Sequence, residues 1–532
     1  MGTSGNAVNV SGNALLEAVE RTATLEPGTP AFRASDGRVT TYGELWTLAL
    51  DLAAGIHGHV AGKDPVIVLG RKDARTVAAM LACLASGHAY APVDADLPVA
   101  RVRDIAGQMP YPTLLSTCPV PGSLREAIPA CTMLDADSLT GGVIGVVPGR
   151  DAWVSGEETQ YVIFTSGSTG RPKGIEVTAD NVAAFMRWLV TFPVIRDGHR
   201  AFLDQAHYSF DLSEYELVGA LATGGCLCAV EGAGDLDFAA LFSTLAASGT
   251  EVWVSTPSFA DLCLADPGFD ERLLPNLGLF LFCGETLHHT TAEALRERFP
   301  RAIVANTYGP TESTVAVTYG EIGEVELADP APLPVGWPRP GTELRIVDHE
   351  TGEALPAGQT GEILICGDTV ARGYYENPER TAEAFFETTL ADGTPSRGYR
   401  TGDLGHLDAE GALHCEGRLD SLVKVSGYRI ELTEIEGALE AIPGVEQAAV
   451  VPRESRGRTS SLSAYVVLDP AERSLMRDAE GARADFELSR ILRAELARTL
   501  PAYMVPRRVR VIDEMPLTAN EKVDRRALAS RG

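Results

Sequence analysis

The sequence has few basic residues, no long apolar segment and no pair of cysteines with CxxC spacing. Its 45 lysines and arginines are outnumbered by 73 aspartates and glutamates, and the net charge of −28 argues against a nucleic-acid partner, which requires a basic surface. No apolar run reaches about 18 residues, the length of a membrane span, and the first residues lack a signal peptide. The nine cysteines include no CxxC pair, which favours reduced thiols over disulfides or zinc. We therefore expect a cytoplasmic protein without a membrane or nucleic-acid partner.

The length and the residue patterns predict an α/β protein of two or more domains. A chain of 532 residues is too long for a single core. Residues 14–26 have helical spacing, and residues 65–70 and 89–94 read as buried strands separated by a helix that ends at Gly87. The order strand, helix, strand is typical of a parallel sheet.

A short apolar strand at 161–164 leads into a loop of hydroxyls and glycines. The loop residues are Thr165, Ser166, Gly167, Ser168, Thr169 and Gly170, followed by Arg171, Pro172 and Lys173. Their N–H groups, hydroxyls and ammonium suit an oligophosphate. The alternative is a solvated linker, which would need neither flanking strands nor the lysine. The glycine spacing and Pro172 exclude a Walker P-loop.

Two later segments carry side chains suited to a nucleotide and a metal ion. In 306–312, Tyr308 offers a flat face for a purine, Asn306 can hydrogen-bond its edge, and Glu312 is a hard oxygen ligand of the kind that Mg²⁺ prefers. In 399–405, Asp403 can accept hydrogen bonds from both ribose hydroxyls, although it could also close a turn before the following glycine.

The C-terminal part changes in composition. From residue 334 onwards, glycine, proline and β-branched residues predict a small distorted β-barrel or meander. Residues 417–436 mark a domain boundary, and Thr433 with Glu436 predicts a capping box for the helix that follows. The residues after this helix read as a small α+β domain.

The segments 161–177, 306–312 and 399–405 together resemble the AMP-forming adenylating superfamily, which includes acyl-CoA synthetases, luciferases and the adenylation domains of nonribosomal peptide synthetases. The resemblance covers nearly the whole chain and is closest to the D-alanine–carrier protein ligases, through FDLS, STPSFADLCL, FLFCGE and LPVGW. It implies a large N-terminal core at 1–419, with two packed α/β subdomains and a distorted β-barrel. It also implies a small mobile α+β lid domain at 420–532 that pivots at Asp420.

The resemblance implies that ATP and Mg²⁺ take part in the reaction. Lys522 would be catalytic by bridging the substrate carboxylate and the α-phosphate, and Glu312 would be catalytic as the ligand of Mg²⁺. Glu521 stands where the family usually has glycine. The residues implied in ATP binding are Thr165, Ser166, Gly167, Ser168, Thr169, Gly170, Lys173, Gly284, Glu285, Asn306, Thr307, Tyr308, Gly309, Thr311, Asp403, Arg418 and Lys522.

Asp211 has two interpretations. An acid between apolar neighbours is costly unless it is paired, and Asp211 or Ser213 could cap a helix that runs through Gly219. In the amino-acid-activating members of the superfamily, however, the matching aspartate faces the substrate's α-ammonium. The resemblance then implies a small apolar pocket formed by Asp211, Leu212, Tyr215, Val254, Leu281, Cys283, Thr307, Val315 and Ala316. Tyr215 stands where those ligases commonly carry methionine, so aminobutyrate or valine fits as well as alanine.

The expected reaction is adenylation of a small amino acid, followed by transfer to the phosphopantetheine thiol of a separate carrier protein, since the sequence has no carrier-protein serine motif. Such a pair of reactions would suit a natural-product pathway, for example one that makes an antibiotic. An acyl- or aryl-CoA synthetase of the same fold is the main alternative. A non-catalytic nucleotide-binding protein is a third, which the joint presence of Lys522, Glu312 and Asp403 disfavours.

Overall fold

The computed structural model describes most of the chain. The described residues are 12–60, 62–140, 146–167, 171–230, 238–419, 422–425, 427–455, 458–469, 481–516 and 523–530. The sequence predictions at Ser168, Thr169, Gly170, Asp420 and Lys522 lie outside these residues.

A nine-stranded sheet forms one half of the large N-terminal part. Its central strands are parallel, and antiparallel strands close both edges. In order across the sheet, the strands are Trp337–Pro338, Thr318–Glu321, Ile303–Tyr308, Leu279–Phe282, Val252–Ser255, Ala201–Asp204, Cys226–Ala229, Pro30–Arg33 and Val39–Thr41.

A seven-stranded sheet forms the other half. The strands Val66–Gly70 and Tyr90–Asp94 pair in parallel, with the helix Ala74–Ala85 between them in the chain, as the sequence predicts. In order across the sheet, the strands are Gly373–Tyr374, Lys173–Thr178, Thr159–Thr165, Tyr90–Asp94, Val66–Gly70, Thr113–Ser116 and Thr132–Asp135.

Helices join the two sheets into one hydrophobic core. The core contains Val68 and Tyr90 from one sheet and Val252 and Leu279 from the other, together with apolar side chains of the intervening helices. The helices of this part are Ala14–Leu25, Tyr42–His59, Ala74–Ala85, Val99–Ala106, Gly122–Ala127, Ala136–Leu139, Ala179–Leu189, Ser213–Ala222, Phe238–Ser248, Pro257–Leu264, His289–Arg298, Glu324–Ala328 and Pro378–Ala384. None of the helices in the described ranges is long and apolar enough to cross a membrane.

The glycine- and proline-rich region forms a five-stranded antiparallel sheet. Its strands are Thr342–Val347, Gly361–Gly367, Pro395–Leu407, Phe385–Thr389 and Leu413–Arg418. The last of these pairs with Pro395–Leu407 and brings Arg418 opposite Asp403.

The C-terminal part is a small α+β unit with its own core, as the sequence predicts. A hairpin of Leu422–Val425 and Tyr428–Glu431 is followed by the helices Leu432–Glu440, Gly481–Leu496 and Arg525–Ser530 and by a sheet of Val445–Ser455, Arg458–Leu468 and Arg508–Val511. We call the hairpin, residues 422–425 and 427–431, the lid hairpin. Where the hinge lies stays a prediction, because Asp420 is outside the described residues.

The predicted capping box of Thr433 and Glu436 is wrong. The helix begins at Leu432, with Glu431 at its N-cap and no side-chain capping bond. Glu436 instead accepts a hydrogen bond from the Val450 N–H (2.7 Å) and forms an ion pair with Arg525 (3.0 Å). Contacts within the small unit therefore override the local capping pattern.

Candidate active site

The predicted phosphate loop connects two antiparallel strands. Thr165 ends Thr159–Thr165 and lies opposite Lys173, the first residue of Lys173–Thr178. A Cβ on Gly167 would lie 2.2 Å from the carbonyl oxygen of Arg171, so this close approach of the loop to itself requires glycine. The hairpin thus places Lys173 directly opposite Thr165, at the other end of the loop.

The side chains predicted to hold the nucleoside meet at one place. The Tyr308 hydroxyl donates to Asp403 Oδ2 (2.6 Å), and Arg418 forms an ion pair with the other oxygen of the same carboxylate. Asn306 donates through Nδ2 to the Pro334 carbonyl (2.9 Å). Its Oδ1 is buried and has no hydrogen-bond partner among the described residues, so one acceptor remains available for a ligand.

A small cavity lies where these side chains approach the predicted amino-acid site. Its volume is about 30 Å³, which is room for about two water molecules. It is lined on the nucleoside side by Asp403, Arg418, Gly284, Gly309 and Thr311, and on the amino-acid side by Asp211, Leu212, Cys283 and Val315. Lys424, Gly427 and Arg429 of the lid hairpin also line it, together with Phe210 and Pro310. We refer to it as the closed cavity.

Asp211 lies in the wall of the closed cavity and does not cap a helix. The helix Ser213–Ala222 has Leu212 at its N-cap and no side-chain capping bond, while the Ser213 hydroxyl donates to the Phe210 carbonyl (2.8 Å). The capping interpretation is therefore wrong. Asp211 is buried, and among the described residues no lysine, arginine or histidine nitrogen lies within 4.0 Å of its carboxylate. Burial raises the pKa of Asp211 to about 6.

The other five predicted pocket residues are buried and do not line the closed cavity; they are Tyr215, Val254, Leu281, Thr307 and Ala316. The Tyr215 ring packs edge-on against Phe185, with 5.2 Å between the ring centroids. The Tyr215 hydroxyl has no hydrogen-bond partner among the described residues, and the nearby Thr307 hydroxyl donates to the Phe282 carbonyl (2.8 Å). Such close packing leaves little space around Cys283 and Val315.

The lid hairpin supplies residues that the sequence analysis did not assign. The Gly427 N–H donates to Glu285 Oε1 (2.6 Å). Gly427 has φ +85°, and a Cβ there would lie 2.2 Å from Cγ2 of Thr256, so only glycine allows the hairpin tip to approach so closely. From the sequence, residues 417–436 are predicted only to be a domain boundary. The alternation of lysine and arginine with apolar residues in this stretch is the one feature of the sequence that indicates a hairpin presenting cations to a site.

The surroundings of Glu312 do not fit Mg²⁺ in this arrangement. Its Oε1 accepts from the Tyr374 hydroxyl (3.0 Å) and lies 3.3 Å from Lys173 Nζ, and its Oε2 accepts from Arg429 (2.7 Å). Burial by itself raises the pKa of Glu312, but Arg429 and Lys173 outweigh it and hold that pKa well below its usual range. Among the described residues there is also no group of three or more histidine, cysteine, aspartate or glutamate side chains that could hold a metal ion. A divalent ion here would meet two cations instead of an octahedron of oxygens.

If Asp211 faces the α-ammonium of an amino acid, as the resemblance implies, its pKa predicts how amino-acid binding depends on pH. An α-ammonium group pairs only with the ionised carboxylate, and the fraction ionised falls about tenfold per pH unit below the pKa. Since burial places that pKa at about 6, we expect the kcat/KM for the amino acid to be level above pH 7 and to fall between pH 6 and pH 5. The measurement is amino-acid-dependent ATP–pyrophosphate exchange across this interval, in which neither group of the amino acid titrates. A kcat/KM unchanged down to pH 5 would contradict the prediction.

The large part of the chain has two α/β sheets around one core, and the small C-terminal unit packs over a site suited to a nucleoside. This combination defines an adenylate-forming enzyme. The chain belongs to the AMP-binding enzyme family: the family model matches residues 19–375, and that of the AMP-binding enzyme C-terminal domain matches residues 434–522.

Named relatives cover nearly the full chain. The D-alanine–D-alanyl carrier protein ligase of Bacillus licheniformis is 40% identical over 97% of this chain and 98% of its own. The ligase of the same name from Listeria monocytogenes is 39% identical over 88% of this chain and 89% of its own. Among solved structures, a nonribosomal peptide synthetase protein with adenylation and PCP domains has a TM-score of 0.81 at 26% identity, covering 98% of this chain and 84% of that one. A Vibrio cholerae adenylation domain in complex with glycyl-adenosine-5′-phosphate has a TM-score of 0.76 at 25% identity, covering 100% and 99%.

Proposed function

We propose that this protein adenylates a small aliphatic amino acid with ATP and then loads it onto the phosphopantetheine thiol of a separate carrier protein. The observation that carries the proposal is Asp211. A buried carboxylate without a cationic partner is costly, and an α-ammonium in the closed cavity would supply that partner. A substrate without an ammonium group, such as a fatty or aryl acid, would supply no such partner.

The first half-reaction needs positioning and charge stabilisation. An oxygen of the amino-acid carboxylate attacks the α-phosphorus, the bond to the bridging oxygen breaks, and pyrophosphate leaves with that electron pair. Asp403 and Arg418 would hold the ribose, and Tyr308 would hold the adenine. Ser166, Gly167 and Lys173 would bind the outer phosphates. Mg²⁺ supplies charge neutralisation when bound, and Glu312 would be its ligand once Arg429 has withdrawn.

The second half-reaction transfers the acyl group to sulfur. The carrier thiol loses its proton and attacks the acyl carbon, the bond from that carbon to the phosphate oxygen breaks, and AMP leaves. The Gly427 contact with Glu285 keeps the lid hairpin against the closed cavity. This arrangement suits the thioester-forming step, because the phosphate loop is in contact with the C-terminal unit while the closed cavity remains beside the residues predicted to bind the amino acid.

The choice of amino acid rests on the size of the pocket and on the relatives. D-alanine is the first candidate, since the relatives that match along nearly the whole chain are named for it. Aminobutyrate and valine are larger alternatives. They would press on Cys283 and Val315, which have only 4% and 2% of their surface exposed.

The test is ATP–pyrophosphate exchange with glycine, both enantiomers of alanine and aminobutyrate, valine, and short aliphatic and aryl acids. We expect exchange with at least one small amino acid and none with the plain acids. Exchange with plain acids alone would overturn the proposal in favour of an acyl- or aryl-CoA synthetase. Acylation of a purified phosphopantetheinylated carrier protein, compared with free coenzyme A, then tests the acceptor.

Tyr215 is predicted to limit the length of the substrate side chain. The variant Tyr215→Met replaces a rigid, fully buried ring with a flexible chain. One methylene in such a pocket changes kcat/KM by about 10–200-fold. We therefore expect the ratio of aminobutyrate to alanine exchange to rise about tenfold. The matched control is Tyr111→Met, at a position 76% exposed, which should leave the ratio unchanged. An unaltered ratio in the Tyr215 variant would contradict the assignment.

A further inference from the structure

The backbone just after the predicted nucleotide motif at 306–312 has an unusual conformation. Thr314 has φ +57° and Val315 has φ +69°, so two consecutive residues lie in the left-handed region. Among the residues that the structure describes, they form the only adjacent pair of non-glycine residues with positive φ. Both are β-branched, and such side chains strongly disfavour this region. The surrounding structure must therefore hold the backbone here. We call residues 314–316 the strained turn.

A buried hydrogen bond ties the strained turn to another part of the large domain. The Thr314 hydroxyl donates to the Thr369 carbonyl (2.7 Å), and only 1% and 0% of the surfaces of these residues is exposed. Loss of a buried donor leaves its acceptor without a partner, which costs more than loss of an exposed one. The bond therefore favours the observed conformation of the strained turn over a relaxed one.

The strained turn also packs closely against the nucleotide motif. A Cβ on Gly309 would lie 2.5 Å from the Ala316 Cα and 2.8 Å from the Val315 carbonyl oxygen, so the two backbones are in direct contact. Within the turn, the Ala316 N–H donates to the Thr314 carbonyl (2.8 Å). These contacts define the path of the backbone on both sides of Val315.

The segment that carries the Thr369 carbonyl is itself held in place. We call residues 368–371 the clamp segment. Asn181 donates through Nδ2 to the carbonyls of Asp368 (2.8 Å) and Val370 (3.2 Å), and its side chain is buried. The carbonyls on both sides of Thr369 are thus bonded to one amide group. The acceptor of the Thr314 hydroxyl therefore lies on a fixed part of the fold.

The clamp segment and the strained turn together connect this fixed part to the site. The Ala371 N–H donates to the Glu312 carbonyl (2.9 Å), so the clamp segment also supports the residue predicted to bind the metal ion. The strained turn carries Val315, which lines the closed cavity and whose carbonyl accepts from the Cys283 thiol (3.7 Å). The position of Val315 in the cavity wall therefore depends on contacts made outside the cavity.

We propose that the Thr314 hydroxyl positions Val315 for amino-acid binding by tying the strained turn to the clamp segment. The proposal rests on the proposed function, which assigns Val315 to the amino-acid pocket. Thr314 does not line the closed cavity and is a positioning residue. Without its hydroxyl bond the turn relaxes towards negative φ in a fraction of the molecules. Only the remaining molecules bind the amino acid, and the apparent Kd rises by the inverse of their fraction.

The variant Thr314→Val tests the proposal, since valine keeps the β-branched shape and lacks the hydroxyl. The assay is ATP–pyrophosphate exchange with the amino acid that the parent protein uses best among glycine, the enantiomers of alanine and aminobutyrate, and valine. We expect the KM for this amino acid to rise about fivefold or more. The KM for ATP and kcat should stay within about twofold of the parent, because the change removes binding of the amino acid alone.

Two further variants serve as controls. Thr314→Ser keeps the hydroxyl and should restore a KM within about twofold of the parent. Thr223→Val removes a hydroxyl bond of the same length, to the Gly219 carbonyl (2.7 Å), at the end of the helix Ser213–Ala222, and should leave all three constants unaltered. Thermal unfolding shows whether each variant is folded at the assay temperature. If Thr314→Val is not, Thr314→Ala replaces it, because alanine removes the same hydroxyl without the β-branch that a positive φ disfavours.

The outcomes separate the positioning role from the proposed function. If the parent uses an amino acid and the folded variant without the hydroxyl has an unchanged KM for it, the positioning role is wrong and the proposed function stands. The positioning role is also wrong if Thr314→Ser loses as much affinity as Thr314→Val, or if the KM for ATP rises equally. If the parent exchanges pyrophosphate with none of the amino acids, both proposals are overturned.

Discussion

Replacement of Asp211 by asparagine is expected to abolish amino-acid-dependent ATP–pyrophosphate exchange. Asparagine keeps the shape of the side chain and removes the charge that would face the α-ammonium. Loss of one partner of a buried ion pair costs about 3–5 kcal/mol, which lowers kcat/KM for the amino acid roughly 10²–10⁴-fold. The effect should fall on the amino acid, with the apparent Kd for ATP changed little, because Asp211 is not among the residues predicted to bind ATP.

The same substitution should not weaken the fold. Burial raises the pKa of Asp211 from 3.8 to about 6, so its contribution to stability is complete below pH 3.8 and is lost as the pH rises through about 6. At pH 8 the ionised side chain costs the free protein up to about 3 kcal/mol, and asparagine carries no such cost. Thermal unfolding at pH 8 should therefore show a Tm equal to or above that of the parent.

Asp51→Asn is the control, because this aspartate is exposed on the helix Tyr42–His59 and should leave both exchange and Tm unaltered. A variant at Asp211 that still exchanges pyrophosphate with alanine at the parent rate would remove the main support for an amino-acid substrate. A variant that loses exchange only because it unfolds would contradict the sign of the pKa argument.

Local residue patterns predict the framework of this protein well. The helix Ala14–Leu25 and the strand Thr159–Thr165 lie within a residue or two of where periodicity and β-branched or aromatic content predict them. Buried strands with continuous apolar runs, such as Val66–Gly70, are equally visible, since both faces of a parallel sheet are covered. The strand–loop–strand context of the phosphate loop follows from these elements.

The lid contacts are different, because they join positions far apart in the chain. Arg429 and Glu312 are 117 residues apart, and Arg101 and Glu434 are 333 apart. No local pattern records which charged side chain of a hairpin will face which carboxylate of another domain. The two capping predictions failed for a related reason: Asp211 lies in a cavity wall and Glu436 pairs with Arg525. Both residues are of a type found in helix caps, but tertiary contacts place their side chains elsewhere.

Replacement of Lys522 by alanine is expected to affect the two half-reactions unequally. As an ammonium between the substrate carboxylate and the α-phosphate, this lysine would stabilise charge that develops only in the first transition state. Removing one such preorganised donor typically lowers kcat by about 10²–10³-fold. Thioester formation from a supplied aminoacyl adenylate should continue at nearly the parent rate, because the structure brings Lys424 and Arg429 of the lid hairpin to the closed cavity.

The two rates are measured separately, by ATP–pyrophosphate exchange and by acylation of the carrier protein from synthetic adenylate. Lys63→Ala is the control, since its side chain is 70% exposed and contacts only Glu158 among the described ion pairs. If the rate of ATP–pyrophosphate exchange is unchanged in the Lys522 variant, a different cation must stabilise the first transition state. Equal loss of both half-reactions would mean that the lysine stabilises the C-terminal unit as a whole. A lysine that acts only when the C-terminal unit is positioned for adenylation should leave thioester formation unaffected.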